Sequence, residues 1–148
     1  MPKVKNTYWF VWLMVAFLYF LVMVFGVNKF WAQLNPEPIG VTKGMVSFCQ
    51  SPEISQTAEC LINLTSSFYK YKDTPDSKKV TIDELMQDGG DCAVWSKFYA
   101  ESGKLLGYNT KIVTLKMSGN IYHQYAVLSD RTGYCIMDNK LYVCGIVG

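Results

Sequence analysis

The chain has 148 residues, 50% of them hydrophobic and 15% aromatic, with a formal net charge of +2. That length holds one ordinary domain rather than two, and so small a charge, spread over scattered lysines, excludes a basic stripe for nucleic acid. No metal or other cofactor is implied: Cys49 and Cys60 lack a second ligand pair at zinc spacing, and His123 is the only histidine.

No charged residue occurs from Tyr8 to Val27. A bilayer core takes about 20 apolar residues in a helix. No small-x-small cleavage motif follows, and a domain this small can hardly surround a helix that is apolar on all sides. Residues 1–28 are therefore expected to form a transmembrane anchor, with the membrane as partner of 8–27. Lys3 and Lys5 precede the span and Lys29 follows it. The positive-inside rule then places the N-terminus in the cytoplasm and the domain outside, as a single-pass membrane protein. Pro36 and Pro38 stiffen a linker over 29–44, and the domain runs over 45–148.

Ser51-Pro52-Glu53 reads as a helix start, with Ser as cap and Pro in the first helical position. Ile54, Ala58, Leu61, Thr65 and Phe68 continue one helical face. Lys72 to Lys79 is a loop. Thr81-Ile82-Asp83-Glu84 has the capping-box pattern and opens a short helix to about Gln87. Gly89-Gly90 breaks it, and a further helix runs from Asp91 or Cys92 to Gly107. After that the pattern turns β-branched and alternating. Strands are expected over 110–117, 121–128, 134–137 and 141–147, joined by short turns. Helices followed by an antiparallel meander make an α+β domain.

There are five cysteines: Cys49, Cys60, Cys92, Cys135 and Cys144. Outside the cytoplasm thiols tend to pair, and an odd number leaves one free. A two-residue turn at Asn139-Lys140 sets Cys135 opposite Cys144. With Cys92 free, Cys49 pairs with Cys60. The alternative is four reduced, buried, small apolar residues.

Three residues carry candidate chemistry. Cys92 follows a Gly-Gly-Asp turn at the start of a helix, where unpaired N–H groups and the helix dipole favour an anion. The thiolate is the reactive form of cysteine, and the N–H of Cys92 can stabilise an oxyanion. His123 lies in a strand able to bring an imidazole beside the helix start. Asp138 closes the next strand, where a carboxylate can orient that imidazole.

This order of blocks resembles the transglutaminase-like superfamily of papain-like cysteine enzymes. The likeness rests on Gly90-Asp91-Cys92, a helix ending near Leu106-Gly107-Tyr108, the strand Lys111-Ile112-Val113, then His123 and Asp138, over roughly Val80 to Val143. It implies a thioester mechanism on amide or peptide substrates, with Cys92 as nucleophile, His123 as base and Asp138 holding His123. Hydrolysis is favoured over transfer to an amine, because no lid is visible to shield a thioester from water. The family often has Trp two residues after the histidine, where this chain has Tyr125. A side-chain oxyanion donor usually lies upstream of the cysteine, and Gln87 is the nearest amide. Two other readings stand beside it. An NlpC/P60-type peptidase also starts a helix with Asp-Cys, but Ala93-Val94 replace its usual Ser-Gly. A non-catalytic, membrane-tethered binding module would keep the fold without the reaction.

Overall fold

The computed structural model describes residues 14–17, 19–20, 38–75, 79–119 and 121–147. The chain divides into two compact units, 1–37 and 38–148. Within the first, 14–17 and 19–20 are helical and exposed. Among the described residues no helix is long and apolar enough to cross a membrane. The transmembrane helix expected over 1–28 and the single-pass localisation, with cytoplasmic N-terminus and anchored domain, are corrected accordingly. The rest of the apolar run lies outside the described residues.

The second unit is α+β. Helix α1 (Lys43–Val46) passes into a 3-10 turn at Ser47–Cys49, followed by α2 (Ile54–Ser66), α3 (Ile82–Asp88) and α4 (Cys92–Leu105). Four strands follow: β1 (Asn109–Lys116), β2 (Tyr122–Ser129), β3 (Gly133–Asp138) and β4 (Leu141–Ile146). They form one antiparallel sheet in the order β1-β2-β3-β4. Each strand lies within a residue or so of its expected place, because short turns leave little room for slippage.

The apolar positions of α2 and α4 pack on one face of this sheet. Leu61, Phe98, Trp95, Ala126, Leu128, Cys135 and Met137 are fully buried together. Gly103 lets α4 approach closely: a Cβ there would lie 2.7 Å from Leu128 Cγ and 2.9 Å from Thr110 Cγ2. Trp95 gathers Phe68, Tyr69, Phe98 and Tyr99 around it.

Two local details differ from expectation. Helix α2 starts at Ile54 with Glu53 as N-cap, and no side chain caps it. Ser51 Oγ instead donates to Gln56 Oε1 and accepts from the Glu53 N–H, so Ser51 and Pro52 stay outside the helix. The second difference is in 38–44, where Ile39 is buried. The Glu101 carboxylate accepts the N–H groups of Ile39, Gly40 and Val41, and Ile39 accepts from the Ile82 N–H at 2.8 Å. The residues after Glu37 therefore belong to the domain.

Both expected disulfides are present, Cys49–Cys60 and Cys135–Cys144. The second joins residues directly opposite each other in the β3–β4 ladder, around a turn at Asn139-Lys140. Cys92 is left as a free thiol.

Candidate active site

Cys92 is the first residue of α4. The capping box of α3 forms as its sequence implies, with Thr81 and Glu84 exchanging bonds. Gly89 then takes φ +85°, and a Cβ there would collide with the Lys70 carbonyl. The Gly90 N–H donates to that carbonyl at 3.1 Å, and the Gly90 carbonyl accepts from the Lys72 N–H at 3.2 Å. The turn before Cys92 is thus pinned to an extended stretch around Tyr71. Asp91 caps α4 by accepting from the N–H groups of Ala93 and Val94, both at 3.0 Å. The cap leaves the Cys92 N–H as the first-turn donor it does not occupy.

His123 and Asp138 meet. The β2–β3 ladder ends at Ala126↔Met137, and beyond it His123 Nε2 lies 2.9 Å from each Asp138 carboxylate oxygen. A carboxylate only accepts, so Nε2 donates to it, and in the neutral ring Nδ1 is left with the lone pair. The Asn139 side-chain amide also donates to Asp138 Oδ1, at 3.1 Å.

Cys92 lies at the same end of the sheet. Gly103 rests against Leu128. From there, α4 rises about 16 Å back to Cys92. In β2, Leu128 to His123 covers about the same length. The direction is fixed by Tyr99, whose hydroxyl donates to the carbonyl of Asn139, next to Asp138. Among the described residues the Cys92 sulfur makes no hydrogen bond to the His123 ring. The structure thus joins two of the three expected catalytic residues, His123 and Asp138, directly, and the third, Cys92, stands at the start of α4 toward the same end of the sheet.

Tyr69, absent from the expected site residues, lies near enough to both Cys92 and Asp138 to feel their charges. Its ring stacks on Trp95 with centroids 4.7 Å apart, and the Lys140 ammonium lies 4.7 Å from its centroid. Burial, and then the charges of Tyr71, Asp138 and Cys92, push the Tyr69 phenol above its ordinary range. Tyr71, two residues on, is raised by burial and then by Cys92, Asp73 and Asp91. The one available signal was the short aromatic alternation Tyr69-Lys70-Tyr71 after a helix end. Gln87, the expected oxyanion donor, is exposed in α3. Its backbone carbonyl accepts from Lys70 Nζ at 2.8 Å, and its side chain makes no hydrogen bond among the described residues.

Comparison adds no relative. No protein-family model matches the chain, and neither the curated proteins nor the solved structures contain a match.

Proposed function

We propose that the domain is a cysteine hydrolase acting on amide bonds through a thioester on Cys92. The observation that carries this reading is the His123–Asp138 pair at the sheet end served by the tip of α4, where the only free cysteine stands. With Nε2 held by Asp138, Nδ1 is the atom that takes the thiol proton. Cys92 Sγ attacks the carbonyl carbon, forming the C–S bond while the oxygen becomes an oxyanion near the Cys92 N–H. The C–N bond then breaks, and His123 passes its proton to the departing amine. Water, deprotonated by His123, forms the C–O bond, the C–S bond breaks, and the proton returns to sulfur. The sheet connections beside the pair are short turns, which leave a thioester open to water, so hydrolysis is favoured over transfer to an amine.

This mechanism requires Sγ and Nδ1 to reach hydrogen-bond distance during the reaction. Such contacts are often longer in resting enzymes and tighten with substrate. Two disulfides in one small domain fit an oxidising compartment.

The test uses the one free thiol. Iodoacetamide should modify Cys92 at neutral pH, and His123→Ala should slow that modification about a hundredfold, the scale of a lost general base. Equal rates in the two proteins would remove the catalytic reading. They would leave a non-catalytic binding module on the same fold, the reading favoured by the missing Cys92–His123 hydrogen bond. Product analysis with a glutamine-containing peptide, with and without added amine, separates hydrolysis from transfer.

A further inference from the structure

Strand register places a row of side chains across the sheet at the proposed site. Leu115 of β1 is directly opposite His123, and Leu141 of β4 is directly opposite Asp138. Directly opposite residues share a face, with Cβ atoms about 5 Å apart. The His–Asp pair is therefore flanked on both sides by a leucine. Both leucines are open to solvent, Leu115 at 44% and Leu141 at 71% relative exposure. Val143, two residues along β4, shares the face and is 68% exposed. Met117 and Ile121, at the β1–β2 hairpin tip beside the row, are exposed as well. Scattered exposed apolar residues need no explanation, but a contiguous group surrounding a histidine–carboxylate pair marks a contact surface. Along the middle of the sheet this face is the one away from α4, whose side is filled by Ala126, Leu128, Cys135 and Met137.

The sheet edge indicates the form of the ligand. In the strand order both β1 and β4 are edges. Strand β1 carries Lys111 and Lys116, the kind of charge that protects an edge from pairing. Strand β4, Leu-Tyr-Val-Cys-Gly-Ile, has no charge and no proline, and among the described residues nothing pairs with its outer side. An uncharged open edge is a template for an extended peptide, whose alternate side chains would lie on Leu141 and Val143.

Resting on the hydrolase reading above, we propose that the substrate is an extended peptide segment with bulky apolar side chains near the reacting amide, held along β4 and across Leu141 and Leu115. Continuity with the His–Asp pair favours a substrate over other occupants of this face.

The experiment compares two peptidyl vinyl sulfones of equal length, one built from leucine and valine, the other from glutamate and serine. The rate of Cys92 modification by each, read by intact mass, is divided by the iodoacetamide rate on the same protein. The apolar probe should be faster by about tenfold or more, the scale on which apolar pockets discriminate. Leu141→Lys and, separately, Leu115→Lys should bring the ratio of the two probes close to one; the exposure of both residues keeps the fold intact. Equal rates in the unaltered protein, or a preference that survives both substitutions, would overturn the proposal. So would equal rates together with a dimer in sedimentation that Leu141→Lys dissolves, since the face would then serve a second copy of this chain. Modification that depends on His123 but not on probe sequence sinks this inference alone. Iodoacetamide modification indifferent to His123 sinks the hydrolase reading itself.

Discussion

Tyr99 is fully buried on α4, and its hydroxyl links the helices to the turn that carries Asp138. It donates to the Asn139 carbonyl and shares a 3.0 Å hydrogen bond with the Thr65 hydroxyl. Burial holds its phenol far above the ordinary range, opposed only in part by the bond from Thr65, so it stays a donor through the physiological range. Asn139 takes φ +52°, a conformation Asn tolerates better than most residues, and its amide reaches Asp138. A chain of contacts thus runs from α2 through Tyr99 to the carboxylate that holds His123. Tyr99→Phe fits the same space but leaves the Asn139 carbonyl and Thr65 without this partner. We expect a loss of about 1–3 kcal/mol in urea unfolding, the cost of unmade buried hydrogen bonds. Cys92 modification should slow along with it. An unchanged modification rate beside lowered stability would show that the turn does not position Asp138.

At the scale of elements, the close seat of α4 on the sheet depends on the missing side chain at Gly103. Gly103→Ala would force a methyl against Leu128 and Thr110 at under 3 Å. Alanine's better helix propensity offsets about 1 kcal/mol, against an overpacking cost of about 1–3 kcal/mol. Net destabilisation is expected, with a lower thermal midpoint. A raised midpoint would mean the helix can shift freely. The β2–β3 turn gives a pH-dependent counterpart. Asp130 Oδ1 accepts from Thr132 Oγ1 and N, both at 2.7 Å, and from the Gly133 N–H at 3.0 Å. The Thr132 hydroxyl, then the backbone bonds, hold its carboxyl below the usual range. A folded-state pKa below the unfolded value means stability that is present above the unfolded pKa of about 3.9 and lost as pH falls through the folded one. Asp130→Asn should therefore differ from the parent at neutral pH and converge with it in acid, when urea midpoints are compared across pH.

These same elements show what local sequence determines. The Thr81 box, the Gly89 break, the four strands and the Cys135–Cys144 pairing follow from turn chemistry and alternation, which act over a few residues. So does the meeting of His123 with Asp138, once two adjacent strands are in register. The Ser51 cap fails because the hydroxyl is taken by Gln56 and the Glu53 N–H, a competition between nearby partners that spacing alone does not rank. The capture of Ile39 by Glu101 spans 62 positions and has no local signal. Tyr69 stayed without a role because its place is fixed by Trp95 and Lys140, which reach it only after the sheet and α4 are assembled.

The whole domain is held at its opening segment by one carboxylate and at two further places by sulfur. Glu101 on α4 gathers three N–H groups from 39–41. The Cys49–Cys60 bridge ties the 3-10 turn to α2, and Cys135–Cys144 ties the open strand β4 to β3. Each bridge closes a short loop, for which the chain-entropy model gives about 2–3 kcal/mol. Set against a total of about 5–15 kcal/mol for a domain, losing both would bring the fold close to its limit. The two are not equivalent. Cys49 is buried in the main core, so removing its bridge should weaken cooperative unfolding throughout. Cys144 lies on an edge strand whose outer side pairs with nothing among the described residues, so a Cys135→Ser, Cys144→Ser double variant should first free β4 itself. Amide hydrogen exchange would then speed up in Leu141–Ile146 while Tyr122–Ser129 keeps most of its protection. The Cys49→Ser, Cys60→Ser variant should lose protection across α2, α4 and β2 together. Uniform acceleration in both variants would mean that the edge strand and the core unfold as one unit, and that β4 cannot open independently to receive a peptide.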